Sequence, residues 1–223
     1  MNDFIDHFCQ LSDIKGTEGE EYLLSRGITT LPKKGARFSG LEYEAETKKQ
    51  SSAIVSVMTD DRMKISYLHK TFLTNGRKTQ GINAKKLYTA NGLTKHECDK
   101  CGAQTLDTAA VRLFNCGSTL GIAEGFETAL STTQIYDVPT WMLGNATYLK
   151  TFVAPPHVKH LIIYADNDQT GTGMLAAFHC GNRNIISRDG VEKVTIRCPV
   201  HVGDFNDMLS TQSDVHDWVL NRK

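Results

Sequence analysis

From Thr119 onward the chain alternates short apolar runs with stretches of helical period, and that grammar leaves few ways to build a core. Runs of this length, bounded by turn residues and separated by helical segments, specify a mostly parallel sheet flanked by helices, an α/β Rossmann-like arrangement. Strands are expected at residues 119–123, 140–142, 160–165 and 193–197, and helices at residues 127–135, 146–152, 171–182 and 214–221.

The upstream half is written differently. Thr17-Glu18-Gly19-Glu20 has the form of a capping box ahead of Tyr22, Leu23 and Leu24, and Gly27 supplies a stop, so a short helix is expected. Residues 52–58 and 63–73 alternate around Asp60-Asp61 as a hairpin would, and Asn75-Gly76 signals a second tight turn. Residues 38–88 therefore form a small, mostly antiparallel sheet. The change of pattern near residues 111–117 divides the chain into a smaller α+β domain, residues 1–113, and an α/β domain, residues 114–223. With 40% hydrophobic and 22% charged residues the chain is globular in composition. No apolar run approaches the roughly 20 residues that span a bilayer, and the start lacks the pattern of a signal peptide. The expectation is a cytoplasmic protein with no membrane partner.

Three acidic clusters fall at or just beyond expected strand ends, where α/β sheets place their ligands. The first is Glu124-Gly125-Phe126-Glu127 after Leu120-Gly121-Ile122-Ala123, the second Asp166-Asn167-Asp168 after Leu161-Ile162-Ile163-Tyr164-Ala165, and the third Asp204-Phe205-Asn206-Asp207. Each alone is an ordinary helix cap or turn. Gathered at one sheet edge they repel each other unless a cation neutralises them, and Mg²⁺ is held by a few carboxylates with waters and substrate phosphates. Metal-assisted phosphoryl transfer is the chemistry such a cluster serves.

The net charge is zero, but its distribution is uneven. Residues 63–96 contain no Asp or Glu and carry Lys64, Lys70, Arg77, Lys78, Lys85, Lys86 and Lys95. Such a stretch suits a phosphate backbone or a triphosphate, or else is a solvated sheet face.

The strand-ending Glu followed by a strand-ending Asp-x-Asp resembles the Toprim family. Leu120-Gly121-Ile122-Ala123-Glu124-Gly125-Phe126-Glu127-Thr128-Ala129-Leu130 and Ala165-Asp166-Asn167-Asp168 are similar to the Toprim primases of phages and plasmids, and Asp204-Phe205-Asn206-Asp207 to their late acidic motif. Tyr22-Leu23 with Arg26-Gly27-Ile28, Leu68-His69-Lys70-Thr71-Phe72-Leu73 with Gly76-Arg77-Lys78, and Val111-Arg112-Leu113 extend the similarity upstream. The resemblance implies synthesis of RNA primers on single-stranded DNA from nucleoside triphosphates. Glu124, Asp166 and Asp168 are then catalytic and hold Mg²⁺ or Mn²⁺, with Asp204 as a further ligand. Lys70, Arg77 and Lys86 become candidates for substrate or template contacts. Cellular primases often have an Asp four residues after the motif Glu, where this chain has Thr128; Glu127 is a candidate substitute. The chain has no Gly-x-x-x-x-Gly-Lys-Ser/Thr loop and no N-terminal zinc ribbon, so a replicative helicase or other replication protein is expected to act in trans. A Toprim nuclease using the same carboxylates and a noncatalytic nucleic-acid-binding module are the rival readings.

His96-Glu97-Cys98-Asp99-Lys100-Cys101-Gly102 has the form of a zinc knuckle, for which Cys98 and Cys101 with Cys116 or His96 are candidate Zn²⁺ ligands, though a second Cys-x-x-Cys is missing. Cys9, Cys180 and Cys198 are expected to be small buried residues.

Overall fold

The computed structural model describes residues 3–44, 48–60, 63, 65–89, 108–187, 190–211 and 213–223. The first half contains α1 (Asp3–Gln10), α2 (Glu18–Ser25) and strands β1 (Ala36–Glu44), β2 (Lys49–Thr59), β3 (Ile65–Thr74), β4 (Arg77–Lys78) and β5 (Lys85–Thr89). These strands form one antiparallel sheet in the order β1-β2-β3-β4, with β5 also on β3. Thr17 caps α2 by accepting from the Gly19 N–H at 3.2 Å, while Glu20 reaches back to the Gly16 N–H at 2.6 Å. Asn75 and Gly76, with φ of 53° and 67°, make the tight turn between β3 and β4.

The second half follows as β6 (Thr119–Ala123), α3 (Phe126–Tyr136), β7 (Thr140–Met142), α4 (Ala146–Thr151), β8 (His160–Tyr164), α5 (Thr172–Ile186), β9 (Lys193–Pro199), α6 (Met208–Thr211) and β10 (Val215–Asn221). Its sheet has the order β10-β9-β8-β6-β7, parallel except where β10 runs against β9. Alternation along the strands divides two cores. Leu161 and Ile163 of β8 join Leu120, Ile122, Val194 and Ile196 under α4 and α5. Ile162 and Tyr164 face the other way, where Phe126, Ala129 and Leu130 of α3 meet Ile14, Tyr22, Leu23, Ile54, Met58 and Leu73 of the first half.

One hydrophobic core thus runs across both sheets, and the segment between them is held to each. Thr59 bridges to Ala110 and Val111 to Met142. Buried Arg112 donates to the Thr59 Oγ1 at 2.7 Å and lies 4.8 Å over the Trp141 ring. A third cluster, Ala53, Val55, Val57, Leu68 and Phe72, lies on the opposite face of the first sheet with Phe8 and Leu11 packed on it.

The last expected helix is a strand, β10. Val215, Trp218 and Val219 fall at i, i+3 and i+4 behind Ser213-Asp214, so they imitate a capped helical stripe. Their β-branched and aromatic character suits an edge strand instead. Its period-two pattern sends Leu220 toward α5 and Trp218 onto Phe178, with ring centroids 5.8 Å apart, while Asp217 pairs with Arg197 at 2.7 Å. No described helix is long and apolar enough to cross a membrane.

Gly121 lies in the most crowded part of the second sheet, between β7 and β8. A Cβ there would collide with the Thr140 hydroxyl and come within 2.8 Å of the Tyr164 ring. Gly121→Ala should lower stability by roughly 1–3 kcal/mol through overpacking, measured by urea unfolding. Gly117→Ala, whose Cβ would meet nothing within 4 Å, should leave stability unchanged or slightly raised.

Candidate active site

At the ends of β6 and β8 the chain enters a small cavity of about 110 Å³, lined by Glu124, Gly125, Phe126, Thr128, Met142, Gly144, Asp166 and Asp204 of the second half and by His69 and Lys85 of the first. Three of the four expected metal-binding carboxylates meet there. Gly125 precedes α3 with an ordinary extended φ of −93°, so it contributes room and not a left-handed turn. Its Cβ would stand 3.2 Å from the Thr128 hydroxyl. Asp204 is fixed by the N–H groups of Asn206 at 2.8 Å and Asp207 at 3.1 Å, both donating to its Oδ1.

Asp166 carries the electrostatic strain of this cavity. Burial, then the charges of Asp204 and Glu124, push its carboxyl up to about 7, against the opposing pull of Lys85. Its Oδ1 is buried without a hydrogen-bond partner. Burial also raises Glu124, with Lys85 opposing and Asp168 adding to the shift.

Asp168 is placed differently. Its Oδ1 accepts from the Thr170 N–H at 2.8 Å and hydroxyl at 2.5 Å, and its Oδ2 from the Gly173 N–H at 2.9 Å. It therefore caps the start of α5, and the Thr170 hydroxyl with the Gly173 N–H brings its carboxyl down to about 2. β8 ends at Tyr164, before both aspartates, and the chain turns at Gln169-Thr170 into α5, so strand alternation does not aim Asp166 and Asp168 together.

An all-oxygen set with one unpartnered buried oxygen and two carboxyls that resist ionisation suits a hard divalent cation. Among the described residues no three His, Cys, Asp or Glu side chains form a closed ligand set. Asp166 with Glu124 or Asp204 would hold Mg²⁺ or Mn²⁺ together with water and substrate oxygens.

Glu127, in the first turn of α3, is 3% exposed and anchors the wall beside this cavity. It accepts from the Tyr22 hydroxyl at 2.6 Å and pairs with Lys78 and Lys85, each at 2.9 Å. Burial alone would raise its carboxyl, but Lys85, Lys78 and the Tyr22 hydroxyl hold it well below the usual carboxylate range. Burial lowers Lys78; it also opposes the charge of Lys85, but there the Glu127 charge and hydrogen bond, with smaller contributions from Lys78 and Asp204, together raise the group.

Register decides which basic residues reach the site. On β3 and β5, Thr71 pairs with Lys85 and His69 with Leu87, on the side facing the carboxylates. Lys70 pairs with Lys86 and with Val55, on the opposite side. There Lys70 bonds Glu42 at 2.6 Å and lies 4.8 Å over the Tyr88 ring, and Lys86 pairs with Glu44. The structure thus brings Lys85 and His69 to the acidic cavity and Lys78 to Glu127, whereas Lys70 pairs with Glu42, and Lys86 pairs with Glu44 while lining the adjoining cavity. Arg77 lines a separate cavity of about 360 Å³ with Tyr22, Ser25, Arg26 and Lys78. A wider cavity of about 540 Å³, lined in part by Asn83, Lys86, Leu87 and Asn145, shares His69, Lys85 and Gly144 with the acidic one.

Cys98, Cys101 and His96 lie outside the described residues, as do Lys64 and Lys95. Cys116 Sγ is 3.4 Å from His157 Nε2. Cys180 and Cys198 are buried as expected, but Cys9 is exposed.

Residues 119–214 match the Toprim domain family, and residues 5–96 match a family described as a domain of unknown function (DUF7146). No curated protein matches the chain. Among solved structures it is similar to a DNA primase domain from Pseudomonas aeruginosa, with 12% identity and a TM-score of 0.56 over 96% of this chain and 75% of that one. It is also similar to the zinc-binding and RNA polymerase domains of the Aquifex aeolicus primase, with 13% identity and a TM-score of 0.50 over 95% of this chain and 60% of that one. A third is a DnaG primase catalytic domain bound to ssDNA, with 11% identity and a TM-score of 0.50 over 96% of this chain and 75% of that one. The fold is that of primase catalytic cores.

Two outcomes follow from these electrostatics. Because the Asp166 carboxyl stands at about 7 in the fold against an ordinary 3.8, the unfolded chain releases that proton first as pH rises. Stability therefore declines between about pH 4 and pH 7, and the loss is complete above that. Without metal, Asp166→Asn should melt higher than wild type at pH 8, with the difference fading toward about pH 4; Mg²⁺ should raise the melting temperature of wild type alone. Glu127→Gln should cost about 3 kcal/mol in urea unfolding. That is the lower end for breaking a buried pair, because Lys78 and Lys85 are 37% and 40% exposed and can turn to solvent.

Proposed function

Residues 119–214 are a Toprim domain, and from that premise we propose that this chain is a DNA primase core that makes short RNA primers on single-stranded DNA. The observation that carries the reading is the meeting of Glu124, Asp166 and Asp204 with Lys85 in one cavity. Carboxylates alone serve hydrolysis and synthesis equally. A lysine from the facing sheet adds what synthesis also needs, a counter-charge for a triphosphate.

In this reading Asp166 with Glu124 or Asp204, together with water and substrate oxygens, would hold Mg²⁺ or Mn²⁺. The bound ion would stabilise the attacking and leaving oxygens of an in-line displacement. A primer 3′-hydroxyl attacks the α-phosphorus of the incoming nucleoside triphosphate, a phosphodiester bond forms, and pyrophosphate leaves. Lys85, held against Glu127, offsets charge on the phosphates. Lys78 and Arg77 extend the positive wall toward the cavity they share with Arg26. Asp168 adds its charge to the acidic side and reaches an ion only by giving up the cap of α5. A replicative helicase or other replication protein acting in trans, and a phage or plasmid setting, belong to the same proposal.

The test supplies a single-stranded DNA template, labelled ribonucleoside triphosphates and Mg²⁺ or Mn²⁺. Wild type should make short oligoribonucleotides, and Asp166→Asn should make about a hundredfold fewer. Metal-dependent cutting of the template without synthesis would replace this reading with a nuclease. Equal template binding by both proteins with neither reaction would leave a binding module.

A further inference from the structure

We propose that His69 positions the nucleotide at the carboxylate site by hydrogen-bonding the ribose 2′-hydroxyl, an inference that rests on the primase reading. His69 lies on the face of β3 that looks toward the carboxylates, and it is 4% exposed. Its Nδ1 is buried without a hydrogen-bond partner. Native interiors satisfy nearly all such groups, so an orphan calls for a ligand or a bridging water. The side chain stands where one could arrive. Together with Lys85 and Gly144 it lines both the acidic cavity of about 110 Å³ and the neighbouring cavity of about 540 Å³.

The chemistry of the surroundings narrows what that ligand group is. Burial, then the charges of Lys85 and Lys78 with Glu127 opposing, brings His69 down to about 4, so the imidazole is neutral. A neutral imidazole offers one N–H and one lone pair. Phosphate oxygens at this site have Lys85 and Lys78, and a hard cation has carboxylate oxygens. In a templated reaction the base edge is taken by the template strand. The sugar hydroxyls remain, and each is both donor and acceptor, matching either nitrogen of the ring. A site built to hydrogen-bond a hydroxyl disfavours the analogue that lacks it, because its own polar group is then left unpaired.

Equilibrium binding of ATP and of 2′-deoxyATP, with Mg²⁺ and without template, separates the outcomes without requiring turnover. Wild type should favour ATP by about tenfold or more. His69→Ala should weaken ATP and leave 2′-deoxyATP unchanged, which abolishes the preference. His69→Gln, which keeps a donor and an acceptor, should retain part of it. A thermal melt of each variant establishes that it is folded. An unchanged preference in His69→Ala, or equal weakening of both nucleotides, would show that His69 only packs or binds water, and the inference fails. Equal binding of both nucleotides to wild type also defeats the inference while leaving the primase reading intact. Absence of any nucleotide binding to wild type defeats the primase reading and this inference together.

Discussion

The ion pair on which this structure turns is buried Glu127 held by Lys78, Lys85 and Tyr22. Taking a carboxylate out of water costs several kcal/mol, and the interior recovers that only when opposite charge and hydrogen bonds are supplied in good geometry. Here the compensation comes from the first half of the chain. Tyr22 lies on α2, Lys78 on β4 and Lys85 on β5, while Glu127 lies in the first turn of α3. The second half therefore cannot bury this carboxylate by itself, and the first half cannot place its lysines without it. The shared apolar core and the bridges at Ala110 and Val111 reinforce the same joint.

That joint sets the electrostatics of the cavity next to it. Two lysines against one Glu127 leave one positive charge over, and Lys85 carries it to the rim of the acidic cavity. Lys85 lowers the proton affinity of both Asp166 and Glu124, yet burial and mutual repulsion still win at each. The protein has thus left one cluster under-neutralised. Strongly perturbed carboxyls of this kind gather at functional sites, and the unpartnered Oδ1 of Asp166 marks where the balance is least complete.

Much of this was legible in the sequence, for reasons that also explain what was not. The parallel strands were visible because buried strands are continuous apolar runs, and the acid clusters because each ends or follows such a run. β10 was hidden because its apolar residues fit both periods, and an edge strand is only half covered. Pairing Asp168 with Asp166 extends strand geometry beyond Tyr164, where the backbone no longer follows it. Its capping role has a local signature in the threonines and glycines of Asp168-Gln169-Thr170-Gly171-Thr172-Gly173. Glu127 was singled out, but a pairing with residues more than forty positions away has no local signature at all.

The basic stretch shows why charge counted along a sequence differs from charge delivered to a site. Lys85 and Lys86 are adjacent, so in a strand they point to opposite faces. Choosing between them requires knowing which face of β3 meets the carboxylates. Both faces of that strand mix apolar and polar residues, Tyr67, His69, Thr71 and Leu73 on one and Leu68, Lys70 and Phe72 on the other. Composition therefore cannot decide. Packing does: Glu42 and Glu44 of β1 neutralise Lys70 and Lys86 on the face that Phe8 and Leu11 cover. The facing side keeps its surplus charge, so the positive charge at the cavity comes from Lys85, backed by Lys78 on Glu127, even though the whole chain is neutral.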